Sequence, residues 1–181
     1  MVQSRNARIG RVKHRCSNCD AEATQITGNY LFSESGLSNL VLKNIEIIKC
    51  DQCGNSDPII SKPKDIIRTL ARAIVDKPFA LTGEEIRFLR KYLGMSGDTF
   101  ARHLHSDKAV LSRWENDREA VGSKSDLLIR TIAVILGEGL REGSENVVKK
   151  FPEIVDEPRK VRWELDPEHL HVELAAGKEP L

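Results

Sequence analysis

Every cysteine in the chain stands in one of two pairs, Cys16-x2-Cys19 and Cys50-x2-Cys53, and 30 residues separate the pairs. A CxxC knuckle presents two sulfurs on one tight turn, and two knuckles complete a tetrahedral four-sulfur site for Zn²⁺. With all four ligands from cysteine no position stays open for water, so the expected metal is one structural zinc per chain and not a catalytic one. A thioredoxin-like redox motif needs a single pair in a βαβ context, and neither describes this segment. Asp20 and Gly54 directly follow the knuckles, where turn chemistry is expected. A disulfide framework is disfavoured because the chain reads as cytoplasmic. Its N-terminus, MVQSRNARIGRVKHR, has no apolar h-region. Nowhere does an apolar run reach the roughly eighteen residues of a membrane span.

Between the knuckles, Ala21–Thr27 and Leu40–Lys49 are rich in Ile, Val, Leu and Thr. Ile45 and Ile47 alternate with polar neighbours, the period of a strand. Gly28-Asn29 and SESGLSN (33–39) read as turns, and Asn55–Pro63, with two prolines, as the end of the unit. Residues 16–60 therefore predict a small β-rich zinc ribbon that unfolds without its metal. Residues 1–15 hold Arg5, Arg8, Arg11, Lys13 and Arg15 and no acid. They read as a basic arm, either solvated or touching nucleic acid or an acidic partner, and the solvated reading is favoured.

Residues 61–80 predict a linker helix. KDIIRTLARAIV (64–75) carries an apolar stripe that packs on the second domain or forms a dimer seam, and Asp76-Lys77-Pro78 stops it. From 81 to 140 the pattern is all-α. Thr82 caps Gly83–Leu93, with Glu84 and Glu85 in the first turn and Arg90 and Lys91 in the last, as the helix dipole favours. Ser96 caps Gly97–Leu104, which has Phe100, Ala101 and Leu104 on one side; His105 makes the turn. Ser106 is expected to cap a second helix, Asp107–Asn116, with Val110, Leu111 and Trp114 on its inner face. Residues NDREAVGS form a loop, and Ser123 or Ser125 caps a last helix to about Leu136.

The pair of short capped helices reads as a helix-turn-helix. Lys108, Ala109, Ser112 and Arg113 share the outer face of its second helix, small and polar enough to enter a major groove. On these residues Arg113 would read a guanine, Lys108 a base or phosphate, Ser112 a phosphate or base edge, and Ala109 would pack on a thymine methyl. Arg102, Asn116, Arg118 and Lys124 are candidates for phosphates. Charge agrees: residues 61–136 carry 14 basic and 10 acidic side chains, whereas 137–181 carry 7 and 11. The tail, 141–181, is read as an acidic, mostly unpatterned and solvated extension. VRWELDPEHLHVELA (161–175) is the one stretch with amphipathic character, and His169-x-His171 is weak evidence for a metal pair. No nucleophile–base pair, phosphate-cradling Gly loop or open metal site stands out, so an enzyme is not expected.

With these residues in hand, Thr82–Leu136, with LSRWENDR at its centre, resembles the lambda-repressor or Xre-type helix-turn-helix. The whole arrangement of CxxC ribbon, linker helix and Xre-type domain over residues 16–136 resembles the MqsA, or YgiT-type, zinc-finger antitoxins. That resemblance implies two domains and a homodimer bound to a palindromic operator on double-stranded DNA, often its own promoter. It also implies a ribbon that neutralises a toxin protein, typically an mRNA-cleaving endoribonuclease. Arg113 matches the family's recognition-helix arginine. Ala109 stands where an asparagine is frequent, and Gly97 stands where a glutamine grips phosphate, so Gly97 could offer only its backbone N–H. The alternative is a stand-alone DNA-binding regulator whose zinc domain serves no toxin.

Overall fold

The fold is that of a computed structural model, which describes residues 14–141, 149 and 151–175. Of the expected basic arm, only Arg15 belongs to these residues together with His14; Arg5, Arg8, Arg11 and Lys13 lie outside them. The chain divides into two compact units, whose described parts are 14–28 with 44–60, and 29–43 with 61–175.

In the first unit β1 (His14–Arg15) pairs antiparallel with the start of β2 (Glu22–Leu31), His14 opposite Ala23. The end of β3 (Leu40–Lys49) pairs antiparallel with β4 (Ser56–Ile59), Lys49 opposite Ser56 and Ile47 opposite Pro58. Ile45 and Ile47 are buried and Glu46 exposed, the alternation expected of a strand with one solvated face. One sequence expectation is corrected here. Gly28 and Asn29 make no turn but lie inside β2, which continues to Leu31. The stretch Asn55–Pro63 does end the unit but holds a strand, β4, whose proline is tolerated because among the described residues β4 is paired on one side only. The SESGLSN turn forms as a 3-10 turn, Ser33–Ser35, closed by Gly36 at φ +87°.

Among its described residues the second unit has the helices α1 (Pro63–Val75), α2 (Gly83–Tyr92), α3 (Gly97–His103), α4 (Lys108–Glu115) and α5 (Ser123–Leu136). The apolar stripe of α1 is buried inside this unit, with Ile66, Leu70 and Ile74 at 0% exposure, against α2, α5 and β8 (His171–Ala175). Three consecutive helices end alike. Gly94, His105 and Asp117 adopt φ +66°, +48° and +52°. In each case the next residue's N–H reaches back five residues: Met95 to Arg90, Ser106 to Ala101, and Arg118 to Arg113. That is the Schellman termination, with a left-handed residue just past the helix. It explains why Ser106 does not cap α4 as expected. Its N–H closes α3, and Asp107 becomes the N-cap instead, with no side-chain cap bond. Neither Ser123 nor Ser125 caps α5; Gly122 holds that position, and Ser123 Oγ donates to Asp156 at 2.8 Å.

The unit is not all-α, because the described part of the tail read as unpatterned contains three strands. β5 (Phe79–Ala80) pairs parallel with β6 (Val155–Pro158). β7 (Arg162–Asp166) pairs antiparallel with β8 and parallel with the first residues of β3, Leu40 opposite Trp163 and Leu42 opposite Leu165. Trp163 and Leu165 are buried and their neighbours less so, a period-2 pattern that the surrounding charges hide.

The centre of this unit also holds charge. The Arg130 guanidinium, at 0% exposure, donates to the carbonyls of Val75 (2.7 Å), Lys77 (2.8 Å) and Phe79 (2.7 Å) and pairs with Asp126. Asp126 accepts the Leu81 N–H at 2.7 Å. Lys77 pairs with Glu85, which also accepts the Thr82 N–H at 2.8 Å. Burial pulls the Lys77 amine below its ordinary range, and Glu85 opposes that shift. Each buried charge thus has a partner, the condition under which such groups are tolerated.

Candidate metal centre and nucleic-acid interface

The two knuckles have the same backbone. Cys16 N–H donates to Ala21 O and Asp20 N–H to Cys16 O; Cys50 N–H donates to Asn55 O and Gly54 N–H to Cys50 O, all at 2.9–3.0 Å. Asp20 and Gly54, at the equivalent place, are both left-handed, with φ +59° and +75°. Each knuckle therefore turns its two sulfurs to the same side. Asn55 and Asp57 bond to each other and both bond to Ser17, which joins the second knuckle to the first.

The four sulfurs all lie within 4.8 Å of one another. Cys16 and Cys53 are 3.5 Å apart, and Cys19 and Cys50 are 3.6 Å apart. Those separations exceed a disulfide by far and suit a tetrahedron whose metal–sulfur bonds of about 2.3 Å imply edges of about 3.8 Å. Cys16 and Cys50 are buried with Ala23, while Cys19 and Cys53 face outward. The cluster also divides its protons unevenly. The Asn55 N–H and then the Cys16 and Cys19 sulfurs lower the Cys53 thiol to about 6. At Cys19 the Ala21 N–H acts downward, but hydrogen bonds with Cys53, Cys50 and Cys16, together with desolvation, carry the thiol up to about 12. Four sulfurs this close hold four negative charges only around a cation. The set fits one metal ion, and its soft, all-thiolate chemistry narrows the choice.

In the second unit α4 is held from behind and open in front. Leu111 and Trp114 are buried, and Lys108, Ala109, Ser112 and Arg113 are exposed, as are Arg102, Arg118 and Lys124. Glu115 ties α4 to α2 through a bidentate bridge to Arg90, Nε to Oε1 at 2.6 Å and Nη2 to Oε2 at 3.0 Å. Arg87 donates to the Glu115 carbonyl and to Asn116 Oδ1. Asn116 Nδ2 donates to Ser112 O at 2.7 Å, so both ends of this amide are engaged within the protein. Gly97 lies in the first turn of α3, where Ser96 Oγ caps the Thr99 N–H at 3.1 Å.

The sequence reading missed the carboxylates beside the basic groups. Lys108 Nζ lies 3.2 Å from Asp98, and Arg113 Nε lies 2.7 Å from Glu119. Glu119 is six residues beyond Arg113 and past the helix end, so no periodicity links them. The Arg113 guanidinium holds the Glu119 carboxyl below its ordinary range. His103 Nδ1 faces the Thr99 carbonyl at 2.8 Å, and His105 supplies the turn. His169 contacts Asp166 and His171 contacts Glu173, so these two histidines are engaged with carboxylates.

No family model matches the chain, and no curated protein or solved structure does. Among the described residues no helix is long and apolar enough to cross a membrane.

Proposed function

We propose that the protein is a sequence-specific DNA-binding transcriptional regulator with a structural zinc. The observation that carries this reading is the outer face of α4. Four small or basic side chains project there together, while the back of the helix is locked to α2 by the Arg90–Glu115 bridge. A short helix fixed from behind, with Arg113 and Lys108 at 46% and 68% side-chain exposure, has the form of a major-groove reader. Arg102, Arg118 and Lys124 lie exposed nearby in sequence and would neutralise phosphates. Zn²⁺ at Cys16, Cys19, Cys50 and Cys53 would hold the first unit together. The likeness to zinc-finger antitoxins supports a finer version: a cytoplasmic homodimer on a palindromic operator that represses its own promoter and neutralises a toxin through the zinc unit.

The test is fluorescence anisotropy with the DNA upstream of the protein's own gene against a scrambled duplex, over a series of salt concentrations. The reading requires a preference for the upstream DNA that Arg113→Ala removes, and affinity that falls steeply with salt. Equal, weak binding to both duplexes by wild type and variant would sink it. Co-purification with the product of a neighbouring small gene decides the toxin part separately.

A further inference from the structure

Arg113 is not presented as a free side chain. Its Nε donates to Glu119 Oε2 at 2.7 Å, and among the described residues its two terminal nitrogens take no hydrogen bond. Glu119 is itself fixed. Two backbone bonds, Asp117 N–H to Trp114 O and Arg118 N–H to Arg113 O, fold the chain back over the end of α4. Trp114, buried at 8% exposure, anchors the helix end from which this turn departs. Arginine has five N–H donors in a rigid fork, and binding one edge through Nε leaves the end of the fork to face outward. That end matches the O6 and N7 acceptors of guanine.

Resting on the DNA-binding reading above, we propose that Glu119 is the positioning residue for base reading. It holds the Nε edge of Arg113 and so presents the two terminal nitrogens end-on to a single guanine. The carboxylate also keeps Arg113 off the phosphates, because a guanidinium already paired on one side gains less from a second anion. Reading of this one guanine thus takes a pair of residues, of which only Arg113 touches DNA.

The experiment compares wild type, Glu119→Ala, Glu119→Gln, Arg113→Ala and the double variant Arg113→Ala/Glu119→Ala on the upstream and scrambled duplexes. Glu119 is half exposed beyond the helix, so the fold is expected to survive, and melting curves check it. Glu119→Ala should lose about tenfold of the preference, the scale of one bidentate base contact, while binding scrambled DNA as tightly as wild type or tighter. Glu119→Gln keeps an oxygen for Nε and should retain most of the preference. The double variant should be no worse than Arg113→Ala alone, since both substitutions remove one interaction. An unchanged preference in Glu119→Ala overturns the proposal. So does an equal loss on both duplexes, which marks a structural role, or additive losses in the double variant. If wild type shows no preference for either duplex, the DNA-binding reading fails and takes this proposal with it.

Discussion

The α-carbon of Gly83 lies against the backbone carbonyl of Trp114: a Cβ at that position would stand 2.4 Å from the oxygen and 2.8 Å from the Glu115 carbonyl carbon. The same glycine donates its N–H to Asp117 Oδ1 at 2.7 Å, so α2 begins where α4 ends. Both neighbours are backbone and cannot rotate away. Gly83→Ala should cost about 2 kcal/mol, the scale of overpacking a core, and should weaken DNA binding by shifting α4. Urea unfolding measures the first effect; a loss under about 0.5 kcal/mol, within the noise of surface substitutions, would contradict the packing.

The metal prediction concerns stoichiometry and folding together. Purified protein should contain one zinc per chain by elemental analysis, and Cys50→Ser should abolish it. Stripping the metal with a chelator should unfold the first unit, whose sulfur-lined core is small. The helices of the second unit, with an apolar core of their own, should keep their far-ultraviolet dichroism. Retention of native amide chemical shifts in residues 14–28 and 44–60 after stripping would refute the role assigned to the metal.

The turn between β7 and β8 has a pH window. Asp166 accepts from His169 Nδ1 at 2.8 Å and also from the backbone N–H groups of Glu168 and His169. The Asp166 bond raises His169 above its ordinary 6.5, and the His169 bond lowers Asp166 below its ordinary 3.8. The histidine's contribution is complete below 6.5 and fades as pH rises through its raised value. The aspartate's is complete above 3.8 and fades as pH falls through its lowered value. The pair therefore supports the turn most between those limits. An NMR titration should place His169 above 6.5, and Asp166→Asn should return it to the ordinary range; no difference between the two proteins would rule the pairing out.

Trp163 gives the sharpest stability test of the tail. It is 1% exposed, and its indole nitrogen has no hydrogen-bond partner among the described residues. Trp163→Ala should cost about 3–5 kcal/mol, as large aromatic truncations do. Trp163→Phe should cost markedly less, since no hydrogen bond is lost with the ring. Comparable losses for both variants would mean that the nitrogen is bonded after all.

How much of this was legible in the sequence depends on how local the signal was. The knuckles could be read because four sulfurs at fixed spacing admit few arrangements, and α2 to α4 because caps and periodic apolar residues lie within a few positions. The tail could not be read that way. Trp163 and Leu165 have only charged or short-range neighbours, and what makes them core is pairing with Leu40 and Leu42, more than a hundred residues away. The Arg130 hub was hidden for the same reason, since its partners are carbonyls on other elements. Gly28-Asn29 misled because turn-forming residues also occur inside strands when pairing overrides their preference. Glu119 sits where neither helix nor strand periodicity reaches.

The parallel pairing of β3 with β7 also sets an order in time. Leu40 is synthesised long before Trp163, and the ladder that joins them cannot close before Trp163 is made. Until it does, β3 offers the unpaired edge of an apolar run, Leu40–Val41–Leu42, to any other chain nearby, the template from which aggregates grow. β7 thus acts as a stopper, and the interval before it arrives is when a newly made molecule is most exposed to its own copies.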